Sequence, residues 1–477
     1  MCGVDSEGGD GTGDTDERMG CLMTALVIEG AAIATVDAAG TEYASGHLIA
    51  EGGWITAVGP GPAPSTPEGA RVVDGTGCLL TPGFVNTHHH LFQWATRGYA
   101  VDNTLFEWLT TLYPVWARLT EPAVGAAATA GLAWLARSGC TTTTDHHYLY
   151  PRTGGDLLGS TVDAAARVGL RFHPTRGSMD LGQSRGGLPP DDVVESIDDI
   201  LAASQEAVAR FHDPSPGAMV RVALAPCAPF TVSADLLRES AALARSLGVR
   251  LHTHLAETLD ELEYCQERFG CDPVEYMERL GWLGDDVWLA HGVHLPADAI
   301  ARLAAAGTGV AHCPSSNARL GAGTAPVRAL LGAGVAVGLG VDGAASQEAG
   351  RLVDELRQAL YAARTRVDAD GLAGPRALTV RQALWMATMG GARCLGRADE
   401  IGSLEVGKLA DLALWRVDGL GHAGIADPVA ALVLGSAPPL ELLTVGGRVV
   451  VERDRLSTID EAAVVDNLRR TCAQVRG

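Results

Sequence analysis

Apolar positions follow two rhythms along the chain. Across 24–36 small and β-branched residues alternate in strand fashion, and 46–49, 54–58 and 71–80 repeat the pattern between Gly- and Pro-rich turns. These segments predict a small β module. From Thr81 onward, short apolar runs alternate with Ala/Leu/Arg-rich stretches of helical period. The expected strands are 83–86, 141–144, 171–174, 221–225, 250–254, 287–291, 309–312 and 336–341, and the expected helices include 123–138, 157–168, 191–211 and 234–247. Pro122 suits a helix start. Strand and helix in alternation imply parallel βαβ units, and eight strands close a barrel. Short strands return at 412–415 and 442–451. The expected fold is therefore a (β/α)8 TIM-type barrel over 81–401, with a small β-sandwich domain built from 21–80 and 402–460 and a C-terminal helix over 461–477. Residues 1–20, rich in Gly and Asp, read as a disordered tail, with Met19 or Met23 as the natural start.

Composition narrows the class. The chain has 477 residues, 47% of them hydrophobic, enough for a large core. A net charge of −21 argues against nucleic acid or an anionic membrane as partner. No run of 18 apolar residues marks a membrane span, and the N-terminus lacks the apolar stretch of a signal peptide. Ten scattered cysteines with no CxxC pair suggest a reduced, cytoplasmic protein. Basic residues number 36, yet Lys408 is the only lysine.

The polar residues gather where barrel chemistry sits, at the C-terminal ends of strands. The first strand runs into His88-His89-His90, the fifth into His252-Thr253-His254 and Glu257, the sixth into His291 and His294, the seventh into His312-Cys313, and the eighth into Asp342. Side chains alternate along a strand, so His88 and His90 share a face and His89 points away. With His254 and Asp342 they make three imidazoles and a carboxylate, a set that suits one zinc or iron(II) ion and leaves a position for water. Such an ion makes hydroxide available near neutral pH. Glu257, leaving the fifth strand, suits a proton carrier, and His291 suits stabilisation of a developing oxyanion.

The run Pro82-Gly83-Phe84-Val85-Asn86-Thr87-His88-His89-His90 resembles the opening of an amidohydrolase superfamily barrel. His254 with Glu257, His291, Gly340-Val341-Asp342-Gly343, and the 401–412 return with Gly407-Lys408-Leu409-Ala410-Asp411 resemble its later signatures. Binuclear members bridge two metals through a carboxylated lysine on the fourth strand. Lys408 lies beyond the eighth, so a lysine-bridged pair is excluded. Within the superfamily the chain is similar to mononuclear deaminases of heterocycles. His90-Leu91-Phe92-Gln93, Asp145-His146-His147-Tyr148, Arg171-Phe172-His173-Pro174-Thr175-Arg176-Gly177-Ser178 and Ala225-Pro226-Cys227-Ala228-Pro229 look like the 8-oxoguanine deaminase group, and the hydroxy-s-triazine aminohydrolases share much of this pattern. Cys227 stands where S-adenosylhomocysteine-type deaminases usually carry His. After Asp342 the group usually reads Ser-Ala-Ser-Asn-Asp, and here the chain reads Gly343-Ala344-Ala345-Ser346-Gln347.

The resemblance implies hydrolytic deamination, with 8-oxoguanine going to uric acid and ammonia. Hydroxide would attack the carbon bearing the amine, Glu257 would carry a proton to the ring nitrogen, and Asp342 would take a second proton. Gln93, Arg176 and Ser178 would read the purine edge. His146 and His147 fit a supporting or structural role, and Trp108 and Trp116 fit core or pocket wall. The alternatives are hydroxy-s-triazines, another aminopurine, a pterin or a pyrimidine as substrate, and a non-catalytic metal-binding scaffold. A homo-oligomer is expected. Two motifs point elsewhere. Gly338-Leu339-Gly340-Val341-Asp342-Gly343 matches GxGxxG but sits at the eighth strand, not the first of a Rossmann unit. Gly182-Gln183-Ser184-Arg185-Gly186 matches GxSxG but lies in a loop context, without the flanking strand and helix.

Overall fold

The computed structural model describes residues 25–152, 154–368, 371–372 and 374–476. The expected tail, both candidate start methionines and the first residue of the expected first strand lie outside those residues. Strands β1 (Ala25–Ala34), β2 (Glu42–Glu51), β3 (Trp54–Pro60), β4 (Arg71–Asp74) and β5 (Cys78–Pro82) come first. Eight barrel strands follow: β6 (Phe84–Asn86), β7 (Cys140–His147), β8 (Arg171–Ser178), β9 (Ala223–Pro226), β10 (Arg250–Leu255), β11 (Val287–His291), β12 (Gly309–His312) and β13 (Val337–Leu339). They pair in parallel in chain order, and β13 closes on β6 through Leu339 and Asn86. After a short hairpin, β14 (Val367–Asp368) and β15 (Gly371–Leu372), come β16 (Leu412–Arg416), β17 (Leu440–Val445), β18 (Arg448–Glu452) and β19 (Arg455–Leu456).

The two ends of the chain form one mixed sheet, joined where β16 runs antiparallel to β5. The expected helix over 191–211 begins later, at Ile197, because Ser196 caps it by accepting from Asp199 N. Strands β7 and β8 run longer than expected. Their paired register carries on from Thr142–Arg171 to His147–Arg176 with every residue buried. Polar side chains that looked like loop residues are thus inside the barrel.

Helix α1 (Leu105–Trp116) walls the C-terminal mouth and starts on a capping box between Thr104 and Glu107, and α2 (Glu121–Ala136), with proline in its first turn, packs beside the barrel. The opposite mouth is tied to the mixed sheet by an ion pair. Arg171 at the start of β8 donates from Nε and Nη2 to Asp411, at 3.2 and 3.1 Å, and both side chains are almost fully buried. Asp411 also accepts from Gly446 N at 2.7 Å. Deleting one partner strands the other as a buried charge. Asp411→Ala is expected to lower unfolding stability by about 3–5 kcal/mol in urea titrations, more than the same change at the exposed Asp235–Arg238 pair.

Candidate metal and reaction centre

The side chains singled out at four strand ends converge. His90 Nε2 lies 3.1 Å from His254 Nε2. Asp342 Oδ1 lies 3.3 Å from the Nε2 atoms of both His88 and His90. The proton on each ring can be traced. His252 Nδ1 donates to Trp288 O at 2.8 Å, so His252 Nε2 is an acceptor, and His88 Nδ1 donates to it at 2.8 Å. His90 Nδ1 donates to His146 O at 2.7 Å, and His254 Nδ1 donates to Cys227 O at 2.6 Å. All three rings therefore present a bare Nε2 lone pair to one point. His88 Nε2 is buried with no hydrogen-bond partner. Burial drives the His88 and His254 pKa values far below the usual range, which keeps both rings neutral. Burial alone would favour protonated Asp342, but contacts with His88, His291 and His90 hold its pKa well below normal. Neutral imidazoles around a carboxylate fit a divalent cation.

His146 also brings a ring nitrogen within 4.8 Å of those of His88, His90 and His254. Its Nε2 is used on Ala225 O at 3.0 Å, and its ring stacks on His254. His147 turns away and donates to Leu149 O. His89 points out of the cluster, its Nδ1 accepting from His90 N. His252 went unassigned from sequence. The available signal was its i, i+2 spacing from His254, which puts both rings on one face of β10, where His252 supports His88.

The backbone is bent sharply to aim these groups. Among the described residues, seven non-glycine residues have positive φ, and three sit here: Ala256 at 53°, His291 at 73° and Asp342 at 61°. Each such residue costs roughly 1–3 kcal/mol and persists only where its surroundings enforce it. At Ala256 the enforcer is the buried carboxylate of Glu261, which accepts from Ala256 N at 2.9 Å and Glu257 N at 3.0 Å. At Asp342, Oδ1 accepts from Gly343 N at 2.7 Å and Oδ2 accepts from Ser316 Oγ at 2.6 Å. Ser346 Oγ lies 3.0 Å from Ser316 Oγ and extends that support.

Glu257 faces His291, with Oε2 3.7 Å from Nε2. Burial raises the Glu257 pKa to about 7, with His291 opposing the shift and Asp342 adding to it. For His291, burial lowers the pKa, but Glu257, Asp342 and the Nδ1 hydrogen bond to Asn317 Oδ1 at 2.9 Å raise it overall. A carboxyl that titrates near neutrality beside a protonatable imidazole can accept and return protons.

These groups line a cavity with Gln93, Tyr148, Cys227 and Ser346, walled by Leu105, Trp108, Leu109 and Tyr113 of α1. Its volume is about 40 Å³, room for a water or two, so a bicyclic ligand enters only if α1 and Phe230 give way. Trp116 packs in the core behind Trp108. Two expected contacts need correction. Arg176 and Ser178 do not line the cavity. They lie inside β8, where Arg176 pairs with Glu195 at 2.7 Å and stacks on Tyr150. Pairing explains why: β7 holds the strand as far as Arg176 and β9 holds it to Ser178, so both residues lie within the buried strand and not on a loop beyond it.

The GxGxxG run has a packing explanation. A Cβ at Gly340 would stand 2.8 Å from His88 Cβ, and one at Gly343 would meet the Gln93 amide. The departure after Asp342 therefore makes room for Gln93. The GxSxG run is a short 3₁₀ turn between loops. Lys408 lies elsewhere, donating to Ala398 O and Ser403 Oγ.

An amidohydrolase family model matches residues 79–450. The 8-oxoguanine deaminase of Pseudomonas aeruginosa is 46% identical over 91% of this chain and 95% of its own length. The hydroxydechloroatrazine ethylaminohydrolase of Pseudomonas sp. (strain ADP) is 38% identical over 90% of this chain and 91% of its own. Among solved structures, an atrazine chlorohydrolase from Arthrobacter aurescens TC1 complexed with zinc superposes with a TM-score of 0.88 at 34% identity, covering 94% of this chain and 100% of that one.

Two variants probe the geometry. His252→Phe removes the acceptor that fixes the His88 tautomer and is expected to weaken metal affinity about 10- to 100-fold in a chelator competition. Gly343→Ser is expected to retain bound metal while displacing Gln93, raising KM more than it lowers kcat in steady-state assays.

Proposed function

The chain belongs to the amidohydrolase family, and on that premise we propose that it is a metal-dependent aminohydrolase converting 8-oxoguanine to uric acid and ammonia. The observation that carries the chemistry is the convergence of three bare imidazole nitrogens on Asp342, with Glu257 and His291 beside them. The 46% identical 8-oxoguanine deaminase supports the substrate.

His88, His90, His254 and Asp342 would hold one divalent ion, and the zinc in the atrazine chlorohydrolase structure favours zinc over iron. When bound, that ion would acidify a water enough to supply hydroxide near neutral pH. The chain's own groups do the rest. Glu257 accepts a proton from the water and delivers it to the ring nitrogen next to the amine-bearing carbon. His291 donates a hydrogen bond to the attacking oxygen. Asp342 accepts the second proton. The ring carbon gains an oxygen, the proton held by Asp342 passes to the exocyclic nitrogen, and the C–N bond breaks to release ammonia. Gln93, able to donate and accept, lies at the cavity edge within hydrogen-bonding reach of Tyr148 and reads the purine face.

A second reading, a hydroxy-s-triazine as substrate, rests on the 38% identical ethylaminohydrolase. Further features of the reading follow from composition. The eight described cysteines are all buried free thiols, which suits the cytoplasm. No described helix is long and apolar enough to cross a membrane. The net charge of −21 disfavours nucleic acid, and a homo-oligomer is proposed.

The test is a spectrophotometric assay of zinc-loaded protein on 8-oxoguanine, guanine, isocytosine and a hydroxy-s-triazine. Uric acid is expected to form fastest, and activity on the triazine alone would move the assignment to the second reading. Glu257→Gln is expected to keep stoichiometric metal and lose at least about 100-fold in kcat. Because Glu257 must start as a carboxylate, kcat/KM is expected to fall as the pH drops through about 7.

A further inference from the structure

The opposite mouth of the barrel holds a second cluster of charge that the reaction does not use. Arg171 and His173 on β8, Arg221 just before β9, Arg250 opening β10, and Arg397 meet there. Two carboxylates answer four guanidiniums. Asp411 takes Arg171. Glu400 is shared, with Oε1 2.6 Å from Arg221 and Oε2 bonded to Arg397. Arg250 has no carboxylate partner among the described residues. Its Nη2 donates only to the carbonyls of Asp285 and Cys394, at 2.6 and 2.9 Å. Counted by ion pairs, two guanidiniums are unmatched, with Asp285 and Asp286 acting on Arg250 and Asp213 on Arg221 from farther away.

These surplus cations border a recess of about 260 Å³ lined by His173, His212, Arg221 and Arg250. The Nε atoms of Arg221 and Arg250 are buried without a partner. His212 Nδ1 accepts from Val222 N at 3.1 Å, so in the neutral ring Nε2 carries the proton and is a donor. His173 accepts from Arg397 at 3.5 Å, and burial with four neighbouring arginines keeps it uncharged. The walls thus offer donors and positive charge and no free acceptor carboxylate. Buried guanidinium nitrogens left unpaired are costly, and an oxyanion is the ligand class that satisfies them.

We propose that this recess is an anion site, separate from the reaction centre, that binds a phosphate-class dianion between Arg221 and Arg250. The same chemistry serves free phosphate and the phosphate of a nucleotide. The recess lies at the starts of β8, β9 and β10, and the metal cluster lies at or beyond the ends of β6 and β10 and just past β13. Occupancy would therefore reach the centre across the full length of the strands.

Calorimetric titration of the metal-loaded full chain tests it, with inorganic phosphate and a nucleoside 5′-monophosphate as probes against chloride at matched ionic strength. Submillimolar phosphate binding is expected. Arg250→Met and Arg221→Met should each weaken it about tenfold or more, and Arg250→Lys, which keeps the charge, should weaken it less. Arg238→Met, at the exposed Arg238–Asp235 pair outside the recess lining, should not change it. Tighter binding of the nucleotide would identify a phosphorylated metabolite as the ligand, and equal affinity would identify free phosphate. No binding above chloride, or equal affinity in folded Arg250→Met and Arg250→Lys, would overturn the proposal. The second pattern would assign the heat to the reaction-centre metal.

Discussion

Three imidazole lone pairs and a carboxylate oxygen meet within 3.3 Å of their nearest neighbours, with no proton available between them. Every Nδ1–H is already committed, to His252, to His146 O and to Cys227 O. Such an arrangement is repulsive among its own members, and a cation converts the repulsion into attraction. Much of the surrounding structure exists to hold it. His252 is stacked on Trp288 and tied to its carbonyl, so the His88 ring cannot rotate to relieve the crowding. Ser316, Ser346 and Gly343 N fix both oxygens of Asp342.

That constraint explains where the strain and the glycines fall. Ala256, His291 and Asp342 adopt left-handed backbone at or just beyond the ends of their strands, where the surrounding hydrogen bonds enforce it. Gly340 is small because His88 passes against it, and Gly343 is small because Gln93 does. The glycine spacing that imitates a dinucleotide fingerprint is the imprint of the first strand's exit packing on the eighth. Glu261 belongs to the same scheme. It spends a buried carboxylate, its pKa raised to about 7 mainly by burial, on holding the turn that carries Glu257.

The barrel was legible because alternation of apolar strands and amphipathic helices is a property of local sequence. Parallel strands buried on both faces read as short apolar runs, and all eight overlap the strands observed. Residues His88, His90, His254, Glu257, His291 and Asp342 were legible because strand ends in a barrel must converge, whatever their separation along the chain. What stayed hidden depends on pairing. The pairing of β8 extends through polar residues, so Arg176 and Ser178, expected after the strand, are strand residues, Arg176 paired with Glu195. His252 and Ser346 were visible as residue types, but their value lies in which atom they touch, and that is set by pairing across the barrel.

The two mouths of the barrel show how one set of strands separates incompatible electrostatics. At the C-terminal mouth, burial keeps His88, His90 and His254 neutral around a single ionised Asp342, a net negative centre suited to a cation. At the N-terminal mouth, the same strands begin with guanidiniums that outnumber their carboxylates. A surplus of positive charge beside the imidazoles would oppose metal binding, because both would compete for Asp342. Strand length keeps them apart: from Arg250 to His254 the chain runs four residues, about 13 Å of extended backbone. That exceeds the screening length of about 8 Å at physiological salt for exposed charges, although the low-dielectric core between the mouths screens less. The two charge sets are thus held apart by the length of the strands, and the coupling left between them, about 1 kcal/mol per pair of unit charges at an effective dielectric of about 20, passes through the core as well as through strand position.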